Sequence, residues 1–163
     1  VKPAAQNHRG EKVAVMATPL TLHEEKFKQL VKRYENLATI IPVPCPDLVE
    51  YVEKGILEGP ELEGYLKDVL KPCLQEGVKA VVLGCTHFPL VKAAIGKVVG
   101  ESVRIYDGGE GTARQAKCLL AAKNLCTDQE KGHICFESSA PEKEAYYEAL
   151  YRKAAHIDSR VKL

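Results

Sequence analysis

The sequence predicts an α/β protein built around a mainly parallel sheet. Three observations predict it. Short apolar runs without polar alternation recur along the chain, as strands buried on both faces of a sheet require. Segments with helical spacing of apolar residues lie between these runs. Gly, Pro and Thr punctuate the junctions, where a strand gives way to a helix.

The elements follow in order. Residues 2–11 are polar and carry Pro3 and Gly10, which reads as a leader or linker. Residues 13–17 form the first buried strand. Thr18-Pro19-Leu20 breaks it, and Thr21 with Glu24 matches the T-x-x-E capping box that opens a helix. Leu22, Phe27, Leu30, Val31 and Tyr34 carry that helix to about Asn36. Residues 38–43 make a second strand. Cys45-Pro46 turns the chain into a short helix with Leu48, Val49 and Val52 on one side, ended by Gly55. Gly59-Pro60 opens a longer helix, because proline suits the first helical position. Leu62, Leu66, Val69, Leu70 and Leu74 are its stripe, Pro72 a kink and Gly77 its stop. Residues 78–83 are the third strand and the clearest buried run. Gly84-Cys85-Thr86-His87 follows, then a helix from about Pro89 to Val99. Residues 103–106 are the fourth strand, 108–111 a glycine-rich turn, and a helix runs from Thr112 to about Leu125. Residues 133–136 make a weaker strand, and Pro141 opens a last helix to about Ala155. A boundary is expected at residues 107–111, beyond which helices become more polar and the strand signal fades.

Composition narrows the function classes. The chain has 163 residues, 45% hydrophobic and 28% charged, enough for one core without disulfide staples. Lys and Arg number 23 against 22 Asp and Glu, so the basic footprint of a nucleic-acid partner is missing. No apolar run approaches the roughly 20 residues that span a bilayer, and the N-terminal residues do not resemble a secretory signal. Neither a nucleic-acid nor a membrane partner is therefore expected. Six cysteines are scattered without C-x-x-C pairs or zinc-finger spacing, which predicts reduced thiols, no metal and a cytoplasmic setting.

In open α/β sheets ligands bind beyond the carboxyl ends of the strands. The strand-to-helix turns there are residues 18–21, 44–47, 84–89 and 107–112. The third is the most reactive by composition. Cys85 precedes a helix start, where a thiolate gains from the helix dipole and free N–H groups. His87 holds or exchanges a proton near neutral pH, and Thr86 offers a hydroxyl. Such a set suits proton transfer at a carbon beside a carboxylate. The alternative is a buried cysteine beside a capping threonine, and residue chemistry alone leaves both open. A cysteine phosphatase loop fails, because it needs Arg where Val91 stands. A zinc protease reading of His23-Glu24 fails for want of a second His, and Gly108-Gly109-Glu110-Gly111 does not match the dinucleotide fingerprint. A thiol hydrolase using Cys85 stays open.

The stretch Leu83-Gly84-Cys85-Thr86-His87-Phe88-Pro89-Leu90 resembles the L-G-C-T-H-Y-P-L signature of bacterial glutamate racemases, with Phe for Tyr. Residues 13–21 resemble the family's strand and Thr-containing turn, which makes Thr18 and Thr21 candidate supporting residues. Cys45-Pro46 with Val49, Val52 and Glu53 resembles its C-P-x-x-V-x-x-V-E stretch. Tyr106-Asp107-Gly108 sits where the family has a turn before a helix. The His87 position favours the glutamate branch over the aspartate branch.

The resemblance implies a three-layer α/β domain of the Asp/Glu racemase type, plus a C-terminal part of a second α/β domain. It implies cofactor-free conversion of L-glutamate to D-glutamate for peptidoglycan synthesis by two thiols, in a homodimer. Cys85 corresponds to the second thiol. Thr86 and His87 correspond to substrate contacts, His87 also assists Cys85, and Glu53 is a polar partner for His87. The family's first cysteine lies in a C-N-T motif, which no cysteine here matches. The chain is therefore expected to be the C-terminal portion of such an enzyme, a reading that Val1 in first place fits. Residues 1–106 would be a complete domain with the Cys-Thr-His motif, and 107–163 an incomplete return segment of the other. The competing expectations are an aspartate or hydantoin isomerase of the same superfamily and a non-catalytic binding remnant.

Overall fold

The two inner strands are almost wholly apolar because the sheet is covered on both faces there, while the outer strands are more exposed. The structure, a computed structural model, describes residues 1–127 and 132–160. Its elements are α1 (Lys2–Asn7), β1 (Lys12–Ala17), α2 (Pro19–His23), α3 (Glu25–Tyr34), β2 (Thr39–Pro44), α4 (Leu48–Glu53), α5 (Pro60–Gln75) and β3 (Ala80–Leu83). A 3-10 turn (Phe88–Val91) leads into α6 (Lys92–Val99), followed by β4 (Arg104–Tyr106) and α7 (Gly109–Ala122). A second 3-10 turn (Pro141–Lys143) opens α8 (Glu144–Arg160). Among the described residues no helix is long and apolar enough to cross a membrane.

The four strands are all parallel, in the order β2-β1-β3-β4. β1 lies inside, and Val13 to Ala17 are at most 2% exposed. β2 forms an edge, which is why it tolerates Pro42 and Pro44 within its span. Side chains alternate between faces. Val13, Val15, Ala80 and Val82 pack with Ala4, Ala5, Phe27 and Ala38 beneath α1 and α3. Ala14, Met16, Val81 and Leu83 point the other way. There α5 brings Leu62, Leu66 and Leu70, and α6 brings Ala94 and Ile95, all buried. A helix–sheet–helix sandwich results, as expected.

The details differ in five places, the first being that residues 109–111, expected as part of a turn before a helix from Thr112 to about Leu125, already form the start of α7, which ends at Ala122. Residues 2–7 are helix α1 and not a leader, because Ala4 and Ala5 are small enough to bring the helix onto the sheet with no exposure. The expected helix from Thr21 to about Asn36 is two helices. Thr18 caps α2 by accepting from the Thr21 N–H, and Glu24 turns extended (ψ 142°) before α3. Two helices therefore need two starts, and the T-x-x-E pair supplies neither as read. The helix expected from Pro89 begins as the 3-10 turn, so α6 starts only at Lys92. Residues 133–136 are not a strand, and Ile134 is 65% exposed.

The chain divides into two compact units. One is Val1–Asp107 with the described end of α8 from Ala154, and the other is Gly108–Lys153. The first holds the sheet. In the second, α7 buries no residue, and Leu119, Leu120 and Leu125 are exposed.

Candidate active site

Strand order reverses at β1. The chain leaves β1 for β2 on one side, then crosses back to place β3 on the other. At such a switch point the connections diverge and a crevice opens at the carboxyl ends of the strands. The turns after β1 and β3 therefore face each other across it, which brings Thr18 and Thr21 to one rim and Cys85, Thr86 and His87 to the other.

Gly84 sets the height of the second rim. Its N–H donates to the Met16 carbonyl at 2.8 Å. A Cβ here would lie 2.8 Å from that oxygen, closer than real Cβ atoms approach, and a tight 3.3 Å from the Ala17 Cβ. Gly84→Ala must push the end of β3 away from β1. We expect it to lower unfolding free energy by about 1–3 kcal/mol, as overpacking does. Urea unfolding reads this directly, and a loss inside the scatter of the measurement contradicts it.

Cys85 follows, half-buried and unpaired in any disulfide. Its Sγ lies 3.8 Å from His87 Nδ1. On the far side of the ring, His87 Nε2 lies 2.9 Å from Glu53 Oε1. Glu53 ends α4, which Leu48 and Val52 anchor with no exposure. The turn after His87 is anchored by Phe88 and Val91, equally buried, and α4 packs against it. Two apolar anchors thus bring a carboxylate 34 residues away onto the imidazole. The Glu53 carboxylate accepts from Nε2–H, which leaves the Nδ1 lone pair facing the thiol. Nδ1 can then take the proton of Cys85, and the imidazolium so formed is held between thiolate and carboxylate.

Thr86 is exposed in the same turn. Thr18 and Thr21 engage each other, with hydroxyls 3.0 Å apart and the Thr21 N–H on Thr18 Oγ1 at 3.3 Å. Because a 3-10 turn separates Cys85 from α6, any dipole contribution to its thiolate is smaller than a directly following α-helix would give.

Two residues of this region were not among the sequence candidates. Lys92 and Asp107 form an ion pair of 3.1 Å at the carboxyl ends of β3 and β4. The same turn logic that selected Cys85 points to Asp107, but only the β3–β4 pairing brings Lys92 to it.

The other thiols of this unit are structural. Cys45 and Cys73 are buried on β2's exit and on α5. Burial pushes Cys45 up to about 12 from the usual 9.0, and the neighbouring Cys73 and Cys85 add to it. Its ordinary value applies once the chain unfolds. Above pH 9 the unfolded thiol loses its proton while the folded one keeps it, so stability falls with rising pH towards 12. The slope from one such group is up to about 1.4 kcal/mol per pH unit. Unfolding free energies measured from pH 8 upward should therefore fall less steeply for Cys45→Ala than for the unsubstituted chain. Parallel slopes contradict this account.

Residues 1–116 match the family described as Asp/Glu/Hydantoin racemase. A glutamate racemase of Clostridium kluyveri is 46% identical over 131 residues, covering 80% of this chain and 51% of that protein. One from Clostridium perfringens is 42% identical over 144 residues, covering 88% and 55%. The structure of Escherichia coli glutamate racemase with L-glutamate and the activator UDP-MurNAc-Ala superposes with a TM-score of 0.74 at 29% identity, covering 94% of this chain and 59% of that one. The chain spans about half the length of the curated relatives it matches. With a parallel sheet, a Cys-Thr-His turn at its switch point and a family match over most of its length, the chain belongs to the Asp/Glu/Hydantoin racemase family.

Proposed function

We propose that this chain supplies one half of a glutamate racemase, with Cys85 as one of two proton-transfer thiols that interconvert L- and D-glutamate without a cofactor. The line Cys85–His87–Glu53 at the switch-point crevice carries the reading. Inverting a carbon requires removing a proton from one face and returning one to the other. Cys85 Sγ, as thiolate, takes the α-proton from its face, and the electron pair passes to the α-carbon. A thiol on the opposite face donates its proton to that carbon, and the roles exchange in the reverse direction. His87 receives and returns the thiol proton between turnovers, and Glu53 holds the ring for it. Thr86 and the Thr18–Thr21 rim offer hydroxyls and N–H groups to the substrate carboxylates.

Neither Cys45 nor Cys73 can be the opposing thiol, since both are buried and held protonated. Cys118, Cys126 and Cys135 are exposed, but none has the Asn-Thr neighbours of the family's first cysteine, so we assign the second thiol to sequence outside these residues, in keeping with a chain that spans half of its relatives. In this reading residues 1–106 are a whole domain and 107–163 part of the companion domain. The enzyme so completed is a cytoplasmic homodimer that makes D-glutamate for peptidoglycan.

A chimera tests it. The chain replaces its matching half in the Clostridium kluyveri relative, and circular dichroism checks folding. We expect glutamate racemisation by the chimera, no turnover of aspartate, and none of either by the chain alone. Conversion of L- to D-glutamate by the chain alone refutes the two-thiol assignment. A folded chimera that prefers aspartate refutes the substrate.

A further inference from the structure

We propose that Lys92 and Asp107 are positioning residues whose ion pair holds the 84–87 turn so that His87 stays against Cys85. This rests on the reading of Cys85 as a proton-transfer thiol partnered by His87. Lys92 Nζ donates to Asp107 Oδ2 at 3.1 Å, and the two side chains are only 24% and 21% exposed. The Lys54–Glu50 pair on α4, by contrast, is 66% and 68% exposed. Exposed pairs contribute little, whereas sheltered ones fix geometry or cost desolvation without return.

The placement gives the pair its task. Lys92 is the first residue of α6 and directly follows the 3-10 turn that His87 precedes. Asp107 directly follows β4, whose Tyr106 stands in register with Val82 of β3. β3 itself runs into Gly84-Cys85. The ion pair therefore closes a ring that passes through β3, the 84–87 turn, the 3-10 turn, Lys92, Asp107 and β4. One end of the turn is pinned by the Gly84 N–H on the Met16 carbonyl. At the other end, Phe88 and Val91 are buried. Backbone bonds from the Phe88 N–H to the Cys85 carbonyl (3.2 Å) and from the Leu90 N–H to the His87 carbonyl (3.1 Å) keep the turn's own shape, but they and the non-directional apolar burial do not tie it to β4. A directional ammonium–carboxylate bond makes that tie. The contact needing it is the 3.8 Å approach of His87 Nδ1 to Cys85 Sγ, long enough that a small rotation breaks it.

The test is the pH profile of Cys85 alkylation by iodoacetamide in the whole chain. It is read at the Cys85 peptide by mass spectrometry, so that exposed Cys118, Cys126 and Cys135 do not contribute. The titratable groups placed beside Cys85 are His87 in its own turn, with Glu53 of α4 on the far side of the ring, and the Cys45 thiol after β2. His87→Asn defines the profile of the thiol without its imidazole. We expect Lys92→Met and Asp107→Asn both to move the profile towards that of His87→Asn, by about half a pH unit or more, with Lys92→Arg restoring it. A through-space charge effect acts otherwise, since losing the ammonium and losing the carboxylate shift a nearby thiol in opposite directions. Opposite shifts overturn the proposal. So do unchanged profiles in variants that merely melt at lower temperature. A shift in His87→Asn alone overturns the strap and leaves the Cys85–His87 reading standing. No shift in His87→Asn overturns both. Should Lys92→Met fail to fold, Asp107→Asn and Lys92→Arg carry the comparison.

Discussion

Cys85→Ala abolishes glutamate racemisation in the chimera, by about 1000-fold or more in kcat, a change of about 4 kcal/mol in the barrier. The size follows from what the residue does. The α-proton of an amino acid is weakly acidic, and a positioned base is the only group on its face that can take it. Alanine leaves that face without acid or base, and water does not substitute at the required distance. Cys85→Ser should lose nearly as much, because a hydroxyl near neutral pH supplies almost no anion. The substrate carboxylates meet other groups of the turns, so KM should move much less than kcat. The asymmetry of the remaining chemistry is diagnostic. With Cys85 gone, the opposite thiol still exchanges the α-proton of one enantiomer with deuterated water, without inverting it. Proton NMR of L- and D-glutamate incubated separately with the variant reads this. Retention of a tenth of the original turnover, or exchange in both enantiomers, ends the assignment.

The sheet was legible because it is buried on both faces. Such strands are written as unbroken apolar runs, and residues 13–17 and 80–83 stand out from any local background. α1 was hidden for the opposite reason. Its contribution to the core is two alanines in a polar stretch, too little apolar area to make a stripe, yet small enough to sit against the sheet. The break between α2 and α3 turns on which of two threonines three residues apart serves as the cap, and a backbone extended at Glu24 leaves no mark in composition. Residues 133–136 look like a strand locally but have no described neighbour strand to pair with.

The site divides along the same line. Cys85, Thr86 and His87 are contiguous, and the end of a buried strand followed by Gly marks their place without knowledge of the topology. Glu53 was reached only through the family resemblance, because its approach to His87 depends on how α4 packs on the 3-10 turn. Lys92 and Asp107 depend on β4 lying beside β3, a pairing that strand prediction alone does not order.

That dependence on packing makes the His87–Glu53 pair the sharper test of the relay. His87→Asn keeps a polar side chain of similar reach but cannot accept and return a proton near neutral pH. In the chimera it should cost about 100-fold in kcat, within the usual range for a lost general acid–base partner. Glu53→Gln keeps the shape and removes the charge that favours Nε2–H donation and the imidazolium. About 10-fold is expected, a smaller loss because the ring remains. The two losses should not add, since each interrupts one chain of contacts from carboxylate to thiol. Stability should behave differently from activity. His87 and Glu53 are 32% and 42% exposed, and a pair so open to solvent adds at most about 1 kcal/mol. The expected pattern is thus a large loss of kcat with a melting temperature close to that of the parent chimera. If the two variants lose stability in proportion to activity, the pair is a structural clasp for α4. If Glu53→Gln keeps full turnover, the carboxylate has no part in the proton path and His87 works with Cys85 alone.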